Sequence, residues 1–204
     1  MYSLSKAQTD SAKYYLKSKL PVMLRIKKTM VAARISEDKS DPLVYFNKLT
    51  AIPETGKSDE HFGYASTHLA EAYAVSGDMK KALEILKTAA SKGTVTDTLA
   101  ANIYGFISFL HFSLGEYEPA VSFCMKSVDF AEKTENNRIK GSAYNTLGLI
   151  FAEKTPPDYE KALEYFLKSE SLLKPYRIAR NMGLVYLRLG NVLTHLNKFT
   201  EAEA

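Results

Sequence analysis

Apolar residues recur along most of this chain at the three- and four-residue intervals of an amphipathic helix, not at the two-residue interval of a strand. Four stretches share one arrangement. Ser66, Leu69-Ala70 and Tyr73 form the first, and Tyr104, Ile107-Ser108 and His111 the second. Tyr144, Leu147-Gly148 and Phe151 form the third, and Tyr186, Leu189-Gly190 and Leu193 the fourth. In each, an aliphatic–small pair comes three residues after the opening residue, and a large residue comes three further on. These offsets put the large side chains on one helical face with a small residue beside them.

The small residues Ala70, Ser108, Gly148 and Gly190 predict close approach by a second helix. That helix brings its own small residue, Ala82, Ala120, Ala162 or Ala202, at separations of 12, 12, 14 and 12 residues. A near-constant separation is what two antiparallel helices joined by a fixed short turn require. Turn chemistry agrees: Gly77-Asp78 and Gly115-Glu116 supply a glycine C-cap and an acidic start to the next helix. Thr155-Pro156-Pro157-Asp158 accounts for the two extra residues of the third pair, and Asn197-Lys198 fills the slot in the last. Met79, Tyr117, Tyr159 and Phe199 follow the turns and are expected to plug the ends of the pairs. Ala89, Ser127 and Ser169, seven residues after the second-helix alanines, are expected to seat the first helix of the following pair.

Taken together, the four pairs resemble the tetratricopeptide repeat, W-x2-L-G-x2-Y followed by A-x3-F and P. The match covers residues 61–204, and its best single copy is AYNTLGLIFAEKTPPDYEKALEYFLKSESLLKP. Tyr stands for the usual Trp, while His111 and Cys124 stand where aromatic residues are common. Successive second-helix alanines lie 38, 42 and 40 residues apart, against a usual period of 34. This long-period variety is similar to that of kinesin light chains and of bacterial peptide-sensing regulators and sensor regions. The resemblance implies an all-α fold, a right-handed α-α superhelix of tetratricopeptide-like helix pairs, with residues 1–204 as a single array.

Residues 1–60 fit the pattern less closely. SDPLVYFNKL (40–49) echoes TDSAKYYLKSKL (9–20), which gives a second helix at 9–20, a degenerate pair at 22–36 and 41–50, and a loop IPETGKSDE. A capping helical segment of other descent is the alternative. At the other end, EAEA stops two residues after Ala202, before a last helix could finish. This predicts a fragment of a longer protein.

The chain's 204 residues are 46% hydrophobic and 25% charged, the balance of an ordinary globular protein. Net charge is +4 but unevenly placed: residues 1–34 hold eight Lys or Arg against one Asp, and the remainder sums to −3. The N-terminal bases alternate with Tyr14, Tyr15, Leu16, Leu24 and Ile26, as on the solvated face of an amphipathic helix. Aromatic residues are not interleaved as a groove for nucleic acid requires, so none is expected to bind here. No apolar run is long enough to insert in a membrane, and the start lacks the apolar core of a signal peptide. One cysteine, Cys124, excludes an internal disulfide framework and fits a cytoplasmic setting, with a periplasmic one open if a signal segment was removed.

Catalytic signatures are missing. There is no phosphate-binding glycine loop, no H-E-x-x-H and no G-x-S-x-G. His61, His68, His111 and His195 lack metal-ligand spacing, so neither a metal nor another cofactor is expected. His111 and Cys124 occupy packing positions, which favours core roles over a nucleophile pair.

By matching positions, the resemblance implies a concave surface lined by Tyr64, Thr67, His68, Glu71, Asn102, Gly105, Phe106, Phe109, Phe112, Asn145, Leu149, Glu153, Leu184, Arg188, Asn191 and His195. Family members that clamp C-terminal carboxylates use Lys, Asn and Arg. Here Thr67, Gly105 and Leu187 stand where the Lys and Asn would be, so that clamp is not expected. Phe106, Phe109 and Phe112 make an apolar stripe that is either an anchor pocket for a partner or a face buried against neighbouring helices. The expected function is a non-enzymatic scaffold for a protein or peptide ligand, as the sensor or assembly region of a larger bacterial regulator. The alternative is a peptide-responsive regulator with phosphatase-type activity toward a response regulator. It would need a polar catalytic side chain in residues 1–50, where Gln8 and Asn47 are the only amides.

Overall fold

A computed structural model of the chain describes residues 59–92, 96–176 and 179–197. The degenerate helices expected in residues 1–50, and most of the loop expected after them, lie outside the described residues. Those described form α-helices joined by short turns, with no strand among them. They divide between two compact units, residues 1–94 and 95–204.

In the first unit, α1 (Asp59–Val75) pairs with α2 (Met79–Ser91). Ala70 and Ala82, the two predicted small residues, are fully buried, together with Leu86 and Ala89. The second unit contains α3 (Asp97–Ser113), α4 (Tyr117–Glu132), α5 (Asn137–Glu153), α6 (Tyr159–Leu173) and α7 (Ala179–His195). A short 3-10 turn, Lys174–Tyr176, follows α6. α3 pairs with α4 and α5 with α6. α4 packs on α5, and α6 on α7. α3 and α5 run 17 residues each, α4 16 and α6 15.

The pairs described in full close where the small residues predicted; Ala202, the partner expected for Gly190, lies outside the described residues. A Cβ on Gly148 would lie 2.7 Å from a ring carbon of the fully buried Phe166 and 3.2 Å from the Ala162 carbonyl oxygen, so only glycine fits without displacing the partner helix. In the preceding pair the same position is Ser108, whose hydroxyl donates to the Ala120 carbonyl at 2.8 Å. Serine thus tolerates close approach by turning its polar atom into a bond with the opposing backbone.

The expectation for Ser127 and Ser169 needs correction. Their hydroxyls donate to Ala101 (2.7 Å) and Gly141 (2.8 Å), in the first helix of their own pair and not of the next. A buried hydroxyl needs an acceptor, and a helical carbonyl, with its second lone pair, can accept from it beside its own intrahelical bond. Contact with the following pair falls instead to Ala120 and Cys124, clustered with Leu147 and Ile150, and to Ala131 beside Ala143.

Turns repeat as closely as cores do. Gly77 and Gly115 adopt φ of 92° and 76°, the left-handed conformation that ends a helix, and Asn197 takes the same region at 57°. Across the turns, the backbone N–H groups of Asp78, Glu116 and Asp158 donate to the carbonyls of Tyr73, His111 and Phe151, the last large residue of each stretch. The third turn reaches this bond through the Pro-Pro insertion, with a cis Thr155–Pro156 bond. Asp78 and Asp158 then cap α2 and α6 by accepting from Lys81 and Lys161 N–H at 3.0 and 3.1 Å. Glu116 makes no such cap; its carboxylate pairs with His111 Nδ1. As plugs, Tyr117 meets Phe112 edge-on at 6.0 Å, and Tyr159 packs on the α6–α7 core.

A ladder of rings adds to each pair. Tyr104 stacks on Phe123 at 6.3 Å, and Tyr144 on Tyr165 at 6.0 Å. One turn of helix later, Lys126 and Lys168 each lie over both rings of their pair, at 5.2–5.7 Å. His111 is buried and stacks on Phe123 at 5.3 Å, filling the aromatic slot as the sequence predicts.

Cys124 is fully buried beneath α5, its thiol 3.7 Å from the Ala143 carbonyl. Burial pushes the thiol up to about 12, opposed only by a hydrogen bond with Ser108. A thiol held there carries no thiolate at neutral pH and cannot act as a nucleophile.

Three outcomes follow. Gly148→Val should lower the urea unfolding midpoint by overpacking the α5–α6 contact, at about 1–3 kcal/mol. Gly183→Ala, on the exposed part of α7 where a Cβ meets nothing, should raise it by up to about 1 kcal/mol; equal effects would refute the close-contact account. Asp158→Ala should cost ~1 kcal/mol at neutral pH. The Lys161 N–H bond and ammonium hold Asp158 below its ordinary 3.8, so this contribution is present above that value and lost as pH falls through the lowered one. Denaturation of both proteins at pH 7 and near pH 3 measures the difference. Cys124 in the native chain should react with Ellman's reagent no faster than global unfolding, and full labelling in the native state would contradict its burial.

Candidate functional site

The register that closes the pairs also places matching positions of α3 and α5 opposite one another. Asn102 and Phe106 flank Tyr104 by two residues, and Ser142 and Thr146 flank Tyr144 by the same two. Between these helices, which touch directly, lies an open groove of about 280 Å³. Asn102, Gly105, Phe106 and Phe109 line one side, and Ile139, Ser142 and Thr146 the other. Ala101, Ala143 and Ser127 also line it. Ala101 and Ala143 belong with Ala131 to a small cluster, and their short side chains leave the depression unfilled. Gly105 is part of the same wall: a Cβ there would stand 3.1 Å from Ser127 Oγ.

The apolar stripe divides. Phe109 is 48% exposed, and its ring lies 6.4 Å from that of the half-buried Phe106, so these two form the apolar wall. Phe112 turns instead onto the cluster of Ala120, Cys124, Leu147 and Ile150 and serves the core. A spacing of three advances 300° around a helix, so three residues so spaced walk off one face.

The other residues named from the sequence are not among those that line this groove. Tyr64, His68 and Glu71 are half-buried on α1 in the first unit, where His68 Nδ1 meets Glu71 Oε2 at 3.2 Å and Thr67 donates to the Gly63 carbonyl. Asn145 is half-buried on α5, and its Oδ1 is covered without a hydrogen-bond partner among the described residues. Leu149 packs against the α6–α7 core. On α7, Arg188 is half-buried; burial lowers its guanidinium below the usual value, and the Glu153 carboxylate opposes the shift. Asn191 is exposed, as is Leu184. His195 stacks on Tyr159 at 4.5 Å. Gln8 and Asn47 lie outside the described residues.

Ile139, Ser142 and Thr146 carry no signal of their own, being small or polar residues of common type. The signal that finds them is register: counting from Tyr144 as from Tyr104 leads directly to Ser142 and Thr146.

Neither a group of metal-ligating side chains nor a helix long and apolar enough to cross a membrane is present among the described residues.

Comparison with known proteins agrees with this architecture. The tetratricopeptide repeat family profile matches residues 101–134, which take in most of α3, all of α4 and the turn between them. No curated protein matches the chain in sequence. Among solved structures, the chain is similar to BtubC (BKLC) from P. vanneervenii, with a TM-score of 0.80 and 15% identity over 97% of this chain and 86% of that one. It is similar to a putative kinesin light chain of Podosopora anserina with nearly identical TPR-like repeats, at a TM-score of 0.65 and 14% identity over 90% and 92% of the two chains. A signal transduction ATPase with numerous domains from Pyrococcus horikoshii, which has a tetratricopeptide repeat sensor, matches at a TM-score of 0.64 and 20% identity; the match covers 91% of this chain and 30% of the ATPase. The chain carries a tetratricopeptide repeat at residues 101–134, and its helix pairs have the fold of tetratricopeptide-repeat arrays.

Proposed function

We propose that this chain is a scaffold that binds a protein or peptide through the groove between α3 and α5, as the sensor or assembly region of a larger bacterial regulatory protein. One observation carries the proposal. Phe109 stands about half exposed beside an unfilled depression, its ring 6.4 Å from that of the half-buried Phe106, so that the two present one apolar wall to solvent. An exposed aromatic at a concave surface is costly to leave in water and is the kind of residue that anchors a partner.

A scaffold role also fits the chemistry of the rest of the unit. Its cysteine is buried and protonated, and its buried hydroxyls are committed to backbone carbonyls. The similarity to the ATPase is confined to a fraction of that chain, as it would be if this chain were likewise one module of a larger signalling protein.

Phe109→Glu tests the groove. The variant should keep the helical circular-dichroism spectrum and its unfolding midpoint within a few degrees, because the ring lies largely outside the core. In affinity capture from cells of the source organism, proteins retained by the wild type should be lost from the variant. An identical set on both would place the partner site elsewhere.

A further inference from the structure

Charge and hydrogen-bonding capacity narrow what the α3–α5 groove can hold, and this step rests on reading that groove as the partner site. None of the side chains that line it is ionisable. Two of its hydroxyls are already spent: Ser127 donates to the Ala101 carbonyl, and Thr146 donates to the Ser142 carbonyl at 3.0 Å. What remains is the Asn102 carboxamide and the Ser142 hydroxyl, both exposed and neither bonded to a described residue.

Size narrows the choice again. At about 280 Å³ the groove falls just under the range of about 300–1,000 Å³ that encloses a drug-sized ligand, so it suits one or two side chains better than a whole small molecule. A charged anchor would leave water for a wall of Phe106, Phe109, Ile139 and alanines with no opposite charge to meet it, which is strongly unfavourable. An aliphatic or aromatic anchor gains from the same wall. Asn102, at the rim, offers one acceptor and two donors on a single planar group. Their complement is the N–H and C=O of a peptide backbone. A helical partner has those groups committed to its own ladder, whereas an extended one has them free.

We propose that the groove seats an uncharged aliphatic or aromatic side chain of an extended peptide, whose backbone amide pairs with the Asn102 carboxamide. Recognition then depends neither on a terminal carboxylate nor on an acidic or phosphorylated residue.

The test is selection of random linear peptides displayed on phage against the full chain, followed by fluorescence anisotropy with the enriched peptides made synthetically. Enriched sequences should share one Phe, Leu, Ile or Met, and replacing it with Asp or Lys should weaken binding by at least about tenfold. N-methylation of a backbone amide beside that residue should weaken binding to the wild type by about two- to tenfold, the worth of one hydrogen bond, and leave binding to Asn102→Ala unchanged. Both Asn102 and Phe109 lie at the surface, so Asn102→Ala and Phe109→Ala should retain the wild-type circular-dichroism spectrum. Peptides lost on Phe109→Ala but selected for an acidic residue or a free carboxylate would overturn the anchor chemistry while leaving the groove as the binding site. Peptides that bind both variants as well as the wild type, or no enrichment at all, would overturn the groove itself.

Discussion

Everything in the second unit hangs on how closely paired helices approach each other at one turn of their length. At Gly148 the approach brings the Ala162 carbonyl and the Phe166 ring within the radius of a methyl group. At Ser108 it ends in a hydrogen bond to Ala120. Two backbones held this close bring Phe166, Leu147, Ile150 and Ile107 out of water at once, and each such side chain adds about 1.5–3 kcal/mol to the folded state. At Gly148 an added side-chain carbon would meet the Phe166 ring and the Ala162 carbonyl and weaken the burials of that pair together.

Close approach leaves room only for a small residue, and where that residue is serine its buried hydroxyl must find a partner, because one left unpaired is costly. Ser108, Ser127 and Ser169 each donate to a carbonyl of the facing helix, so the crossing points are both small and satisfied. Lysines placed over stacked rings on the flank of each pair extend the same economy outward, shielding half-buried aromatic faces with their long apolar stems. His111 fits this scheme as a flat ring that stacks like an aromatic residue while tying its imidazole to Glu116 at the start of the next helix.

The groove follows from the same geometry. Pairs stacked through Ala120, Cys124, Ala131 and Ala143 bring their first helices together, and where the facing residues are Ala101, Gly105 and Ala143 the space between them stays open. The aromatic wall is then set by which of the three phenylalanines points which way. Phe112 is drawn into the core, which leaves Phe106 and Phe109 to define the apolar side of an otherwise neutral surface.

By itself the sequence determined the pairing. The offsets between small residues, the glycine turns and the repeated large positions are local and periodic, so helix identity, turn position and the contact of Gly148 with Ala162 could be read from the chain. Cys124 and His111 were legible as core residues for the same reason. What only the tertiary structure decided were choices among several neighbours. Ser127 and Ser169 could have faced either adjoining helix, and their hydroxyls bond to Ala101 and Gly141 of their own pair. Phe112 could have lined the groove, but a three-residue spacing rotates it toward the core. Ile139, Ser142 and Thr146 became one wall of a depression because another helix stands opposite them. Spacing fixes which residues share a helical face; which face meets which neighbour depends on how helices far apart in the chain come to rest.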